Sequence, residues 1–163
     1  MDLRGSAYLY NVAALAMTFV GFCAVVLVLR QARDKEVTDL QRMHSHGYIE
    51  VALSSVAIAI LPLLLAVCGL PETRTWQWSS AIIAVGLSVY TAYILNAFYR
   101  ISRSKIPRYV FVNQLITVPV ILLLIGNVFG VPNIPNIAPI AIAATWRLVM
   151  AIAIFFCTLE ELF

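Results

Sequence analysis

Arg147 is the residue of this chain whose chemistry is hardest to explain as packing. It lies inside an apolar run, about Ile137 to Leu159, with Ala143 and Ala144 before it and Ala151 after it on one helical face. A charged side chain at the centre of a membrane span costs at least about 2.5–3.5 kcal/mol on insertion scales, so such a residue indicates a functional site by default. Arg147 is therefore expected to face protein, and to meet polar groups or an anionic ligand.

Arg147 is predicted to meet groups at its own depth, such as Ser88, Thr18 or backbone carbonyls freed by helix prolines, and Ser88 and Thr18 are predicted to belong with it to a ligand or solute site. Glu50 is the obvious ionic partner, but it lies near the opposite membrane boundary. Helix side chains lean toward their own N-terminus, so Arg147 and Glu50 should diverge. Three roles stay open for Arg147: structural hydrogen bonding, binding of a solute or lipid headgroup, and catalysis or gating.

A second constellation consists of His44, His46 and Glu50, at the start of the second apolar run. Imidazole titrates near neutral pH and binds divalent metals, so these residues are candidates for proton relay or metal binding. Zinc motifs supply a fuller set of ligands, and the alternative is that the three residues end a helix and pair with nearby arginines. The sequence therefore predicts no bound metal and no cofactor.

Other catalytic patterns do not occur in the sequence. Cys23, Cys68 and Cys157 are scattered over three apolar runs, with no Cys-x-x-Cys pair. There is no hydrolase triad and no glycine-rich phosphate loop. We expect no catalytic residue and favour a protein that is not an enzyme.

The elements that must position these residues are membrane spans. Of the 163 residues, 62% are hydrophobic and 12% are charged, whereas about 25% are charged in soluble domains. Five apolar runs are each long enough for a bilayer core of about 30 Å; they cover residues 8–29, 48–70, 78–99, 109–130 and 137–159. The runs are apolar on every side, so the sequence predicts an all-α polytopic helical bundle that forms one transmembrane domain over residues 1–163.

Basic residues predict the orientation of this bundle. Eight lie on one side of the predicted membrane: Arg30, Arg33, Lys35, Arg42, Arg100, Arg103, Lys105 and Arg108. Only Arg4 and Arg74 lie on the other side. The positive-inside rule places the N-terminus outside and the C-terminus in the cytoplasm, and we expect a bacterial inner (plasma) membrane. Apart from Arg147, the basic residues lie outside the apolar runs, so we expect the partner to be the lipid bilayer and not a nucleic acid.

One helix face favours association with other helices. Ala84, Ser88, Ala92 and Asn96 recur every four residues in the third run. Small side chains let helix backbones approach closely in lipid, and Asn96 can hydrogen-bond across the interface. The first functional hypothesis is therefore a self-associating component, a homo-oligomer or a partner of other membrane subunits. The second is an ion or small-solute channel or transporter that uses Arg147.

A third hypothesis comes from a family resemblance. The stretch from Leu40 to Glu50, LQRMHSHGYIE, opens the second span and resembles the corresponding region of the small membrane glutathione transferases and eicosanoid enzymes. The resemblance covers about eleven residues; the family's Asn is absent without a gap, and a fifth helix is extra. It implies a trimeric enzyme that binds glutathione between helices, with Arg42 and Glu50 as the matching positions.

Overall fold

The chain is all-α, as the sequence predicts. The computed structural model describes residues 3, 5–33, 39–101, 108–131 and 135–160, with side chains at 3, 5–29, 47–96, 111–131 and 135–157. No strand occurs in these ranges. The helices are α1 (Ser6–Arg33), α2 (Asp39–Val67), α3 (Glu72–Ile101), α4 (Arg108–Phe129) and α5 (Ala138–Glu160). All five of these described helices are long and apolar enough to cross a bilayer, which fits an integral membrane protein.

The third helix begins six residues before its predicted span. The first turn of α3 is polar, so the apolar run does not include it. The helix can nevertheless begin there, because the carboxylate of Glu72 is stabilised by the positive end of the helix dipole. The Thr75 hydroxyl donates to the Pro71 carbonyl at 3.1 Å, and the Thr75 amide donates to the same carbonyl at 2.9 Å. The segment between the second and third spans is therefore a short turn followed directly by helix.

A glycine in the left-handed region ends α4. Gly130 has φ 70°, its amide donates to the Asn127 carbonyl at 3.4 Å, and the Val131 amide donates to the Gly126 carbonyl at 2.9 Å. This pair of bonds is the Schellman motif, which satisfies helix-end carbonyls that hydrocarbon would leave without partners. A Cβ added to Gly126 would lie 3.0 Å from the Val131 oxygen, so the motif also needs a small residue at Gly126.

The helices are distributed over two compact units. The α3–α4 unit contains Met1–Arg4 and Leu61–Ile142, and the α1–α2–α5 unit contains Gly5–Ile60 and Ala143–Phe163.

In the α3–α4 unit, polar side chains join the start of α3 to the end of α4. Gln77 Nε2 donates to the Val128 carbonyl at 3.2 Å, and Asn127 Nδ2 donates to the Ser80 hydroxyl at 2.8 Å. Asn127 also bonds both backbone groups of Asn136, accepting from its amide and donating to its carbonyl, each at 3.0 Å. The two helices are therefore antiparallel, and Asn127 supplies hydrogen bonds to the connection that leads to α5.

In the α1–α2–α5 unit, packed aromatic rings and a hydrogen bond between two hydroxyl groups show how the helices contact one another. Phe155 of α5 packs edge-on against Phe19 of α1 and Tyr48 of α2, with ring centroids 5.7 and 5.4 Å apart. Tyr8 and Thr145 share a hydrogen bond of 2.6 Å between their hydroxyl oxygens. Early α1 thus meets early α5 and later α1 meets later α5, so α1 and α5 run in parallel.

Small side chains permit this packing. Six alanines of the α1–α2–α5 unit are completely buried: Ala16 in α1, Ala52 and Ala59 in α2, and Ala143, Ala144 and Ala151 in α5. Alanine at a helix contact lets the backbones approach, which increases the van der Waals packing that helps helices associate in lipid.

Adjacent serines of α3 give a matched test of the α3–α4 contact. Ser79 and Ser80 are both fully buried; the Ser80 hydroxyl accepts from Asn127, whereas the Ser79 hydroxyl has no hydrogen-bond partner among the described residues. We expect Ser80→Ala to lower the free energy of unfolding in mixed detergent micelles by about 0.5–1.5 kcal/mol, and Ser79→Ala to be neutral or stabilising. Equal losses in the two variants would contradict the contact.

Candidate functional site

The structure places Arg147 in the middle of a membrane span. It is the tenth residue of α5, in a candidate span that runs from Ala138 to Cys157. Its side chain is only 1% exposed. A guanidinium keeps its charge in proteins, so this site holds a buried cation about 14 Å from the start of the helix.

The Arg147 side chain is hydrogen-bonded to Ser54 of α2. Arg147 Nε donates to the Ser54 hydroxyl oxygen at 2.7 Å, and that hydroxyl donates its own proton to the Val51 carbonyl at 2.6 Å. The hydroxyl therefore acts as acceptor and donor at once. The Ser54 hydroxyl thus links the Arg147 guanidinium to a backbone carbonyl of α2.

The next serine makes a second bond between the same two helices. Ser55 is fully buried, and its hydroxyl donates to the Ala144 carbonyl of α5 at 2.7 Å. Ala143 and Ala144 are also fully buried, which is how the α5 backbone comes within reach of a serine. We call Arg147, Ser54, Ser55 and the Ala144 carbonyl the Arg147 cluster.

The chemistry of the Arg147 cluster is suited to binding two helices together. A guanidinium does not act as a base at physiological pH, and a serine hydroxyl becomes a nucleophile only beside a base. The described members of the cluster are a guanidinium, two hydroxyls and a carbonyl, and each of them takes part in a hydrogen bond. Each contact crosses from α2 to α5 or anchors such a crossing contact.

The residues predicted to surround Arg147 make other contacts. The Thr18 hydroxyl donates to the Ala14 carbonyl at 2.9 Å, and the Ser88 hydroxyl donates to the Ala84 carbonyl at 2.8 Å. Both bonds lie within one helix, four residues back. Sequence reasoning missed Ser54 and Ser55; the available signal was a pair of adjacent serines halfway along an otherwise apolar run.

The small-residue face of α3 divides between buried and exposed positions. Ala84 is buried, whereas Ser88, Ala92 and Asn96 are exposed. Within the described chain, three of the four predicted packing residues therefore lie on the helix surface.

The proposed proton or metal group lies largely outside the described side chains. The backbones of Arg42, His44 and His46 belong to α2, but their side chains fall outside the described residues, and Glu50 is exposed. Across the described residues no group of three or more His, Cys, Asp or Glu could hold a metal. Cys23, Cys68 and Cys157 are free thiols.

No family model, no curated protein and no solved structure matches the chain. The resemblance to membrane glutathione transferases thus stays a hypothesis, and the function has to be argued from the contacts described above.

A double-mutant cycle tests the Arg147 cluster. We expect Ser54→Ala and Arg147→Met to be coupled by about 0.6–1.7 kcal/mol, which are the average and the maximum that such cycles give for hydrogen bonds between membrane helices. The measurement is the free energy of unfolding of both single variants and the double variant.

Ser55→Ala combined with Arg147→Met is the matched control. Ser55 bonds the backbone of α5 instead of the guanidinium, so the coupling of this pair should be clearly smaller than that of Ser54 with Arg147. The same coupling for both serines would mean that Arg147 has no specific bond to Ser54.

Proposed function

We propose that the protein is a non-catalytic component of a membrane assembly, which associates with a second copy of itself or with other membrane subunits through α3. The observation that carries this proposal is the exposure of Ser88, Ala92 and Asn96. These side chains are small or polar, they recur every four residues, and the described chain does not cover them.

The chemistry of this face supports association. Lipid chains gain nothing from a polar side chain, whereas a neighbouring helix can hydrogen-bond Asn96 and can approach closely at Ala92. From Ser88 to Asn96 the face extends about 12 Å along the helix. It therefore offers several successive contacts to a second helix.

The Arg147 cluster supports a structural role over solute permeation. Arg147 is almost completely buried and is bonded to α2. A permeating anion would need an accessible guanidinium, and it would have to replace the Ser54 contact. This view would be contradicted if Arg147→Lys changed the anion flux of protein-containing liposomes while the protein stayed folded.

The proposal includes the orientation and the membrane. With eight basic residues on one side and two on the other, the N-terminus lies outside and the C-terminus lies in the cytoplasm. The membrane that we propose is the bacterial inner (plasma) membrane.

Bulky substitutions on α3 test the association. We expect Ala92→Leu and Ser88→Leu to weaken association at least about fivefold, because forced overlap between packed side chains typically costs about 1–3 kcal/mol. The measurement is the oligomeric state in mild detergent, with cross-linking in native membranes to detect other subunits.

Ala57→Leu is the matched control, since Ala57 is an exposed alanine within the span of α2. It should leave association unchanged. A wild-type protein that stays monomeric in detergent and finds no partner in membranes would refute the proposal.

Reporter fusions test the orientation. We expect a fusion after Phe163 to be active only with a cytoplasmic reporter, and a fusion before Met1 to be labelled from outside. As a control on the positive-inside rule, replacing the four basic residues of positions 100–108 with Gln should weaken the preference for this orientation. The reverse labelling in wild type would show that the orientation is wrong.

A further inference from the structure

A shallow cavity of about 340 Å³ lies at the start of α3, within the α3–α4 unit. It is lined by Arg74, Gln77, Trp78 and Ala81 of α3 and by Val128 of α4. The four α3 residues have the spacing i, i+3, i+4 and i+7, which is one face of a helix. We call this cavity the Arg74 groove.

Contacts between the two helices fix the shape of the groove. Gln77 Nε2 donates to the Val128 carbonyl, and the neighbouring Asn127 bonds Ser80. Both contacts hold the end of α4 against this part of α3. The groove is thus bounded by a hydrogen-bonded pair of helices and does not depend on a mobile side chain alone.

The groove is polar at one end and apolar at the other. Arg74 lies in the first turn of α3, and Ala81 lies seven residues deeper, about 10 Å along the helix. Trp78, which is 57% exposed, stands between them. Tryptophan favours the headgroup layer of a membrane, so the polar end of the groove lies at the level of lipid headgroups.

An exposed apolar stripe continues from the groove toward the membrane interior. Trp78, Ile82 and Val85 are all exposed and follow one another on the surface of α3. Arg74 to Val85 spans about 16 Å along the helix, which is about half of a bilayer core. A lipid whose phosphate lies at Arg74 would place its acyl chain along this stripe.

We propose that the Arg74 groove binds one anionic phospholipid, with its phosphate on the Arg74 guanidinium and its acyl chain against Trp78, Ile82 and Val85. Guanidinium and phosphate form paired, charge-assisted hydrogen bonds. Glu72, the nearest carboxylate in the sequence, accepts from Trp76 Nε1 at 3.4 Å. Because residues two apart do not face each other on a helix, Glu72 leaves the Arg74 face available to an anion.

The volume of the Arg74 groove fits a lipid of which only a part is enclosed by the protein. Pockets for whole small molecules have volumes of about 300–1,000 Å³. The Arg74 groove is at the lower limit, which suits a headgroup with the first carbons of its chain. Anionic lipids should be preferred over zwitterionic ones, since choline would bring a second cation to Arg74.

Lipid titrations in detergent test the proposal. The probes are short-chain phosphatidylglycerol, short-chain phosphatidylcholine and inorganic phosphate, and the readouts are tryptophan fluorescence and the unfolding temperature. We expect phosphatidylglycerol to bind about tenfold more tightly than phosphatidylcholine, because both lipids offer a phosphate to Arg74 but choline adds a cation beside the guanidinium. Inorganic phosphate at the same concentration should have no effect.

Variants assign the binding to the groove. Arg74→Gln should remove the preference for phosphatidylglycerol, and Ala81→Phe should fill the groove and weaken both lipids. Arg103→Gln removes one positive charge from the segment between α3 and α4 and should change nothing, as should Thr73→Ala beside Arg74.

Three results would overturn the proposal. The first is equal affinity of the wild type for the two lipids. The second is an unchanged preference in Arg74→Gln. The third is an effect of inorganic phosphate as large as that of phosphatidylglycerol, which would indicate a site for free anions.

Discussion

Hydrocarbon cannot hydrogen-bond to a protein, and this constraint explains most features of the structure. Every backbone amide and carbonyl in a span must find its partner within the protein, which allows only helices or closed barrels, and runs that are apolar on every side favour helices. The same constraint determines how the helices end. Gly130 allows two amides to satisfy the last carbonyls of α4, and Asn127 bonds both backbone groups of Asn136 where the chain leaves that helix.

The constraint is most severe at Arg147, where a full charge is buried mid-span. Two serines of α2 lie opposite, one accepting from the guanidinium and one donating to the Ala144 carbonyl. Serine suits this place because it is small enough for close helix approach and carries both a donor and an acceptor. The buried alanines of α2 and α5 bring these groups within hydrogen-bonding distance. Packing and polar bonding therefore depend on each other at this contact.

The number and type of helices could be predicted from the sequence, whereas their partners could not. Apolar runs of about 20 residues reflect a one-dimensional requirement, the thickness of the bilayer. The polar first turn of α3 escaped this criterion because Glu72 and Arg74 lower the hydropathy without interrupting the helix. Ser54 was missed since its contact with Arg147 joins residues 93 positions apart. Nothing in local spacing distinguishes Ser54 from Thr18, whose hydroxyl bonds its own helix instead.

The surface of α3 combines two requirements along one helix. From Arg74 to Val85 its exposed residues are a cation, an indole and aliphatic side chains, which suit a headgroup and an acyl chain. From Ser88 to Asn96 the small and polar residues suit a helix. Asn96 lies 22 residues after Arg74, or about 33 Å along the helix, so the two regions lie in opposite halves of the candidate span. A lipid bound to the first region would therefore leave the second region free for a protein partner.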